Sequence, residues 1–288
     1  MSEENARAPG KLYVVGTPIG NLEDMTFRAI RILQEVDAIA AEDTRHTGKL
    51  LQHFQISTPQ VSYHEHNRST RQAQLLQRLL AGESIALVSD AGMPGISDPG
   101  YELVKACAEH QLEVVPIPGA TAAIAGLAAA GLPSDRFIFE GFLPTKDKER
   151  QARLNSLKNE TRTLVFYEAP HRVRQTLKDL AVALGGDRAA VLARELTKLH
   201  EEFWRGTLED AIAHYQERAP KGEFTLIVAG KDATTTVELS EAELKAELEQ
   251  LLAAGMTRSQ ASRHLAETTA LPRRQLYQLA LELGEAES

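Results

Sequence analysis

The stretch IALVSDAGMPGISDPGY (residues 85–101) decides the fold of this chain. It begins with the apolar run Ile85–Val88 and then breaks into a polar turn with three glycines and two prolines. The run predicts a buried strand, and Asp98-Pro99 predicts the cap and first turn of the following helix. Open α/β sheets bind small molecules beyond the carboxyl ends of their strands, where this turn would lie. We therefore expect either a ligand-binding turn or a tight strand-to-helix connection without a ligand.

Strand and helix patterns alternate around this stretch, which predicts a mostly parallel sheet covered by helices. The apolar stripe Phe27, Ala29, Ile30 and Leu33 predicts a helix over residues 23–35. The other strands predicted before residue 132 are 12–15, 36–41, 61–63 and 112–116, and the other helices are 44–54, 72–80, 98–109 and 121–130.

The pattern changes at Gly131-Leu132-Pro133. Beyond it we predict strands at 137–142, 163–167, 190–193, 202–205 and 224–229, and helices at 148–158, 173–184 and 208–218. The last two strands are expected to form an antiparallel part of a mixed sheet. The polar segment 231–240 predicts a linker, and helices at 241–254, 259–268 and 273–283 predict a small helix-turn-helix-like bundle. That bundle is either a nucleic-acid module or a surface for packing and dimer contacts.

The predicted fold class is therefore α/β, with two α/β domains and a C-terminal helical bundle. The predicted boundaries are 10–132, 133–231 and 239–288. The chain has 288 residues, a net charge of −8 and a single cysteine, Cys107. One cysteine excludes internal disulfides and cysteine-rich zinc sites, and the negative charge argues against a non-specific nucleic-acid binder. The polar N-terminus and the lack of a long apolar run predict a cytoplasmic protein without a membrane segment.

Charge is unevenly distributed along the chain. Residues 136–178 hold ten Lys or Arg against five Asp or Glu. This segment is either a solvated helix face or a basic docking surface for a phosphate-bearing substrate. We predict that it faces RNA, and that charge reversal of Lys146, Lys148 and Arg150 weakens binding.

Four polar segments are candidates for chemistry. The turn GTPIGN (16–21) lacks the G-x-G-x-x-G dinucleotide pattern, and there is no G-K-[ST] phosphate loop. In AEDTR (41–45), Asp43 is either a helix cap or, with Arg45, a pair that orients substrate. In SYHEHN (62–67), His64 is structural or contacts RNA, and no metal site is predicted because no third ligand follows.

Two predicted strand ends carry acids and cations together, in FYEAPHR (166–172) and ARELTK (193–198). They are either the main catalytic cluster or an ion-pair network at a domain interface. The residues concerned are Glu168, His171, Arg172, Arg194, Glu195 and Lys198.

Taken in order, VVGTPIGNLEDMTFRAIRIL, EDTRHTGKLL, LVSDAGMPGISDPG, PIPGATAAIAGLAAAGL, FYEAPHR and RELTK resemble the ribosomal RNA small subunit methyltransferase I family, within the tetrapyrrole methylase superfamily. The resemblance covers roughly residues 10–230, and the C-terminal helices resemble that family's helix-turn-helix-like extension. It implies two α/β domains with S-adenosylmethionine in the cleft between them, and a homodimer. It also implies 2′-O-methylation of a cytidine in 16S rRNA (cytidine 1402 in the usual rRNA numbering) on the small ribosomal subunit.

By position, the resemblance implies a set of residues that bind the cofactor: Pro18, Asp90, Ala91, Gly92, Ile96, Ala120, Thr121, Tyr167 and Leu196. Asp43, Arg45, His64, Arg172, Arg194 and Glu195 are the candidate substrate-binding residues. Glu168 or His171 is expected to act as proton acceptor, and Lys198 to help position the nucleotide. Superfamily members that act on porphyrin precursors carry G-x-G-P-G-D and G-G-D-P at the corresponding turns. GTPIGN and SDAGMP depart from these, which argues against a tetrapyrrole C-methyltransferase; a non-catalytic ribosome-binding module is the other alternative.

Overall fold

The structure is a computed structural model that describes residues 8–231, 240–269 and 271–285. These residues form two compact units, one ending at Gly230 and one beginning at Lys231. All but the ends of the predicted linker 231–240 lies outside the described residues.

The first sheet has five parallel strands in the order β3-β2-β4-β1-β5. This confirms the predicted parallel sheet. Each strand is short and mostly apolar, as expected when helices cover both faces. The strands are β1 Leu12–Val15, β2 Ala38–Ala41, β3 Gln60–Ser62, β4 Ile85–Val88 and β5 Val114–Ile117.

Helices cover the two faces of this sheet in pairs. On one face, α1 (Phe27–Glu35) and α2 (Thr44–His53) contribute Leu33 and Leu51 to the core. On the other, α3 (Arg68–Leu80) and α4 (Tyr101–Glu109) contribute Leu75 and Leu103. The connection after β1 leads toward β2, and the connection after β4 leads the opposite way, toward β5. Because these adjacent strands diverge, their carboxyl ends form a topological switch point, where such sheets bind ligands.

Two predicted helix starts are wrong. Residues Leu22–Asp24 form a separate 3-10 turn, and Thr26 caps α1 through its side chain. Phe27, predicted in the buried stripe, is 93% exposed. The helix α4 begins at Tyr101 behind Gly100, whose φ of 147° suits glycine. The predicted cap Asp98 therefore precedes this helix by a full loop residue pair and does not cap it.

The second sheet is mixed, in the order β6-β7-β10-β8-β9. Only β6 and β7 pair in parallel; the other neighbours are antiparallel. The predicted antiparallel part is confirmed, although its last two strands each pair with β8 and not with each other. The strands are β6 Phe137–Phe142, β7 Thr163–Glu168, β8 Ala189–Arg194, β9 Glu202–Thr207 and β10 Phe224–Val228.

Helix α5 (Ala122–Ala130) covers one face of the second sheet, although it precedes the predicted boundary at 132. Gly126 allows the close approach, because a Cβ there would lie 3.2 Å from the Thr225 methyl group. The opposite face is covered by α6 (Asp147–Leu157), α7 (Val173–Leu184) and α8 (Leu208–Glu217). The chain thus passes from the first sheet onto the second through α5, while the predicted boundary itself stays a prediction.

The C-terminal unit is a three-helix bundle, as predicted. Its helices are α9 Glu241–Ala253, α10 Arg258–Thr268 and α11 Arg273–Glu285. Ser240 and Thr257 cap the first two through reciprocal side-chain and backbone hydrogen bonds. Leu248, Leu265 and Leu276 form part of its own core. Among the described helices, none is long and apolar enough to cross a membrane.

A buried polar network joins α6 and α7 beneath the end of β7. The Arg150 guanidinium lies 2.6 Å from Asp179 and donates to the Thr176 hydroxyl at 2.8 Å. Thr176 in turn donates to Glu168 at 2.5 Å. The prediction that Arg150 faces RNA is wrong, because its side chain is only 8% exposed and is needed to neutralise Asp179.

We expect Arg150→Ala to lower the free energy of unfolding of this unit by about 3 kcal/mol, since removing one partner of a buried ion pair leaves an uncompensated charge. Denaturant unfolding followed by circular dichroism measures this. The control is Lys148→Ala, an exposed position on the same helix, which should change stability by less than about 0.5 kcal/mol. Equal effects of the two variants would contradict the assignment.

Candidate functional site

The turns after β1 and β4 are joined by a short backbone bridge. The Thr17 N–H donates to the Gly92 carbonyl at 3.0 Å, and the Gly92 N–H donates to the Thr17 carbonyl at 3.1 Å. The Thr17 hydroxyl donates to the carbonyl of Ser89 at 3.2 Å, and Thr17 is buried. These bonds fix GTPIGN and SDAGMP against each other at the switch point.

A third turn, after β5, closes on the first at a pair of glycines. A Cβ on Gly16 would lie 2.7 Å from the Gly119 Cα and 2.7 Å from the Met93 sulfur. No side chain fits between these backbones, so the three turns pack as one layer.

A cavity of about 360 Å³ lies between this layer and the second sheet, within the range of roughly 300–1,000 Å³ typical of small-molecule sites. The turns contribute Ile19, Met93 and Ile96 to its wall, and the start of α5 contributes Thr121. The second sheet contributes the carboxyl ends of β7 and β8 and the beginning of β10. The site predicted from residues 85–101 is therefore a cleft built by both sheets.

Six of the nine predicted cofactor residues line this cavity: Ala91, Gly92, Ile96, Thr121, Tyr167 and Leu196. Tyr167 is held by its hydroxyl, which accepts from the Ala123 N–H at 3.1 Å. Pro18 and Asp90 line a neighbouring cavity of about 290 Å³ instead, and Ala120 lies in a shallow groove beside Thr121. The binding roles of all nine stay predictions.

Three residues beside the cavity have left-handed backbone conformations that non-glycine residues rarely adopt. Their φ angles are 63° at Ser97, 53° at Glu195 and 65° at Thr197. They flank the lining residues Ile96 and Leu196. Strain of this kind costs about 1–3 kcal/mol per residue and is concentrated at functional sites.

Asp98 is a cavity residue that the sequence analysis missed. Burial raises its pKa to about 6, and the nearby Glu42 and Asp90 carboxylates add to the rise, against a hydrogen bond from Ser89. Burial likewise raises the pKa of Glu42. The only sequence signal for Asp98 was its place in SDPG, which fits a helix cap equally well.

At the end of β7, the candidate Glu168 lines the cavity, but its carboxylate is 0% exposed. It accepts from the Thr176 hydroxyl and from the Ala169 N–H, and lies 3.4 Å from the Arg172 Nε. Arg172 also donates to the carbonyl of Leu143 at 2.6 Å. The side chain of His171 is exposed at the surface nearby.

At the end of β8, Lys198 lies 2.9 Å from both Glu195 and Glu223. Burial lowers the pKa of Lys198, but the hydrogen bonds to these two carboxylates outweigh it, and the net shift is upward. Lys198 is therefore a cation at neutral pH. Arg194 lies elsewhere, paired with Glu202 at 2.9 Å beside another cavity.

The remaining substrate candidates lie beside the first sheet. Asp43 caps α2 and pairs with Arg45 at 2.7 Å, and this hydrogen-bonded pairing lowers the pKa of Asp43. Arg45 is itself 88% exposed. The Nδ1 of His64 is buried without a hydrogen-bond partner. Among the described residues, no three His, Cys, Asp or Glu side chains are placed to hold a metal ion.

Comparison with known proteins matches residues 11–212 to the family Tetrapyrrole (Corrin/Porphyrin) Methylases, and residues 238–284 to the RsmI C-terminal HTH domain. The chain is 64% identical to ribosomal RNA small subunit methyltransferase I of Synechocystis sp. over 274 residues, which cover 95% of this chain and 98% of that protein. It is 49% identical to the protein of the same name from Escherichia coli O157:H7, over 88% of this chain and 92% of that one. The chain belongs to the ribosomal RNA small subunit methyltransferase I family.

Solved structures share the fold at low identity. Uroporphyrin-III C-methyltransferase from Thermus thermophilus, complexed with S-adenyl homocysteine, has a TM-score of 0.54 and 19% identity, covering 77% of this chain and 98% of that chain. Cobalt precorrin-4 methyltransferase has a TM-score of 0.56 and 18% identity, covering 76% and 94%. The predicted tetrapyrrole methylase fold is thus confirmed.

As a member of this family the chain is a methyltransferase, and S-adenosylmethionine is its methyl donor. The cavity fits that group. Its wall is mainly apolar, as the adenosine ring requires, and the carboxylates of Asp98 and Glu223 suit a cationic ligand.

We expect Asp98→Asn to raise the melting temperature at pH 8. The folded-state pKa of Asp98, about 6, lies above its ordinary 3.8, so its contribution to stability is fully present below about pH 4 and is lost as the pH rises through 6. Thermal unfolding between pH 4 and 8 measures the effect. The difference from wild type should vanish near pH 4, and Asp135→Asn, at an exposed position, should show no such pH dependence. A constant difference would contradict the raised pKa.

Proposed function

We propose that this methyltransferase methylates the 2′-oxygen of a cytidine ribose in 16S rRNA of the small ribosomal subunit, at the position numbered 1402. The observation that carries the proposal is the similarity to rRNA small subunit methyltransferases over nearly the whole chain, C-terminal helices included. The cleft supports it, because its turns are the segments on which the 2′-O assignment was predicted.

Methyl transfer from a sulfonium to an oxygen is an in-line displacement, so the protein must align the two reactants. Bound S-adenosylmethionine supplies the electrophilic methyl group. Ile96 and Leu196 provide apolar surface that excludes water, and the bridged turns hold the backbone of Gly92 in place beside them. Because strained residues flank both apolar side chains, their positions are set before ligands bind.

The strand-end residues predicted as catalytic have contacts that support positioning roles. Glu168 fixes Arg172 at the mouth of the cavity. Lys198, charged and held by two carboxylates, offers a cation at the opposite wall. His171, exposed beyond β7, is placed to contact RNA. We propose that these three orient the nucleotide.

The C-terminal bundle offers a basic surface for rRNA. Arg258, Arg263, Arg273 and Arg274 are exposed, whereas the ion pairs formed within the described part of this unit use Lys245. In residues 136–178, by contrast, Arg150, Arg153 and Arg162 are paired with acids. We therefore propose the bundle as the principal phosphate-binding surface, and a cytoplasmic homodimer as the working form.

The main test is transfer of a labelled methyl group from S-adenosylmethionine to small ribosomal subunits that lack the modification. We expect label in 16S rRNA, located by nuclease digestion and mass spectrometry on a cytidine 2′-oxygen. Naked rRNA and a uroporphyrinogen-type substrate are offered in parallel. Label on the tetrapyrrole alone would support the second candidate, a tetrapyrrole C-methyltransferase, which the shared fold favours and the turns GTPIGN and SDAGMP oppose. Label on a base carbon or nitrogen would refute the 2′-O assignment.

The docking surface is tested by two matched charge reversals. We expect Arg263→Glu with Arg274→Glu to weaken subunit binding and to lower the salt dependence by about one unit of slope per lost phosphate contact. The comparison is Lys146→Glu with Lys148→Glu, two exposed cations of the segment 136–178. Filter binding at several salt concentrations measures both, and a greater loss in the lysine pair would place the RNA on that segment instead.

A further inference from the structure

Asp98 is presented to the cavity by a loop with a fixed, strained course. Gly95 has a φ of 81° and Ser97 a φ of 63°. The Ser97 hydroxyl oxygen lies 2.9 Å from the position that a Cβ on Gly141 would take, at the bulge where β6 shifts register against β7. The loop therefore rests on the second sheet, and Asp98 forms part of the cavity wall between the two sheets.

The groups that face Asp98 are two carboxylates, a serine and a tyrosine: Glu42 at the end of β2, Ser89 and Asp90 at the end of β4, and Tyr167 on β7. None is a cation. The nearest predicted cations are engaged elsewhere, Lys198 with Glu195 and Glu223, and Arg172 with Glu168.

Three acidic residues line the cavity among the described part of the chain: Asp98, Glu168 and Glu223. The Glu168 carboxylate is enclosed and accepts two hydrogen bonds from its own surroundings. Glu223 is paired with Lys198. Asp98 is thus the carboxylate that remains able to accept a hydrogen bond from a ligand.

We infer that Asp98 is a catalytic residue, whose carboxylate accepts the proton of the ribose hydroxyl during methyl transfer. This inference rests on the proposed function. The O–H bond breaks as the oxygen forms its bond to the methyl carbon and the carbon–sulfur bond breaks. The proton moves to the Asp98 carboxylate and then to solvent, so that S-adenosylhomocysteine and the methylated ribose are the products.

The acidity of Asp98 suits this role. A pKa of about 6 leaves the group deprotonated at neutral pH, yet makes it a stronger base than an ordinary aspartate. General bases work best when their pKa lies near the working pH, and contribute about 10²–10⁴-fold to the rate.

The first experiment compares Asp98→Asn with wild type in single-turnover methyl transfer and in S-adenosylhomocysteine binding by calorimetry. We expect the rate to fall by about 10²-fold or more, while the dissociation constant changes by less than about threefold. Asp98→Glu, which keeps the acceptor, should recover part of the rate, and thermal melting checks that both variants fold. Loss of S-adenosylhomocysteine binding in Asp98→Asn would overturn the inference by making Asp98 a cofactor ligand.

The second experiment uses pH. The wild-type rate should rise about tenfold per pH unit below 6 and level off above it, and this dependence should be absent in Asp98→Asn. Glu42→Gln removes a neighbouring negative charge, so it should move the titration of Asp98 to lower pH, both in the rate profile and in carboxyl NMR of the protein alone. A residue with only a structural role would not produce this coupled shift.

The outcome against Asp98 is equally clear. If Asp98→Asn retains the wild-type rate while Glu168→Gln or His171→Ala abolishes it, the acceptor lies at the end of β7. If wild type methylates no rRNA, the proposed function fails. The NMR titration and S-adenosylhomocysteine binding still report the acidity of Asp98 and its contact with the cofactor in that case.

Discussion

The site depends on the backbone bridge between Thr17 and Gly92. Two hydrogen bonds join the turns that follow adjacent, diverging strands, and the hydroxyl of Thr17 adds a third to Ser89. Buried backbone groups must be paired, so this bridge is the arrangement that lets two polar turns remain in the interior. Once they are joined, Gly16 meets Gly119, and all three turns of the first sheet form one rigid wall.

A rigid wall on one sheet makes a cleft only if the other sheet is held opposite it, and α5 does this. It begins directly after the third turn, and Gly126 brings it against β10. The distance from the turns to the ends of β7 and β8 is therefore set by helix packing and not by a flexible linker. The strained residues Ser97 and Glu195 face each other's domain across this cleft, where packing on both sides compensates their cost.

Much of this arrangement follows from sequence patterns, and its exceptions have physical reasons. The strand at Ile85–Val88 and the ligand-binding turn after it are predicted correctly because a buried run followed by glycines permits few other structures. The role of Asp98 is missed because Asp-Pro is also a common helix start, and the actual start at Gly100 depends on a positive φ that no pattern reveals. Arg150 is misplaced for a related reason: residue type gives its charge, but its partner Asp179 lies on another helix. Local periodicity also cannot distinguish the exposed Phe27 from its buried neighbours.

The distribution of charge explains how an acidic protein can act on RNA. Glu42, Asp90 and Asp98 gather at the switch point, so the cleft attracts a cationic methyl donor and repels phosphate. A nucleotide entering such a cleft gains little from its own phosphates, and its binding energy must come from contacts elsewhere along the RNA. Exposed arginines on the separate C-terminal unit can supply those contacts without weakening the negative field at the cleft. Separating the two charges on two units lets the same field that holds the donor keep Asp98 basic enough to accept a proton.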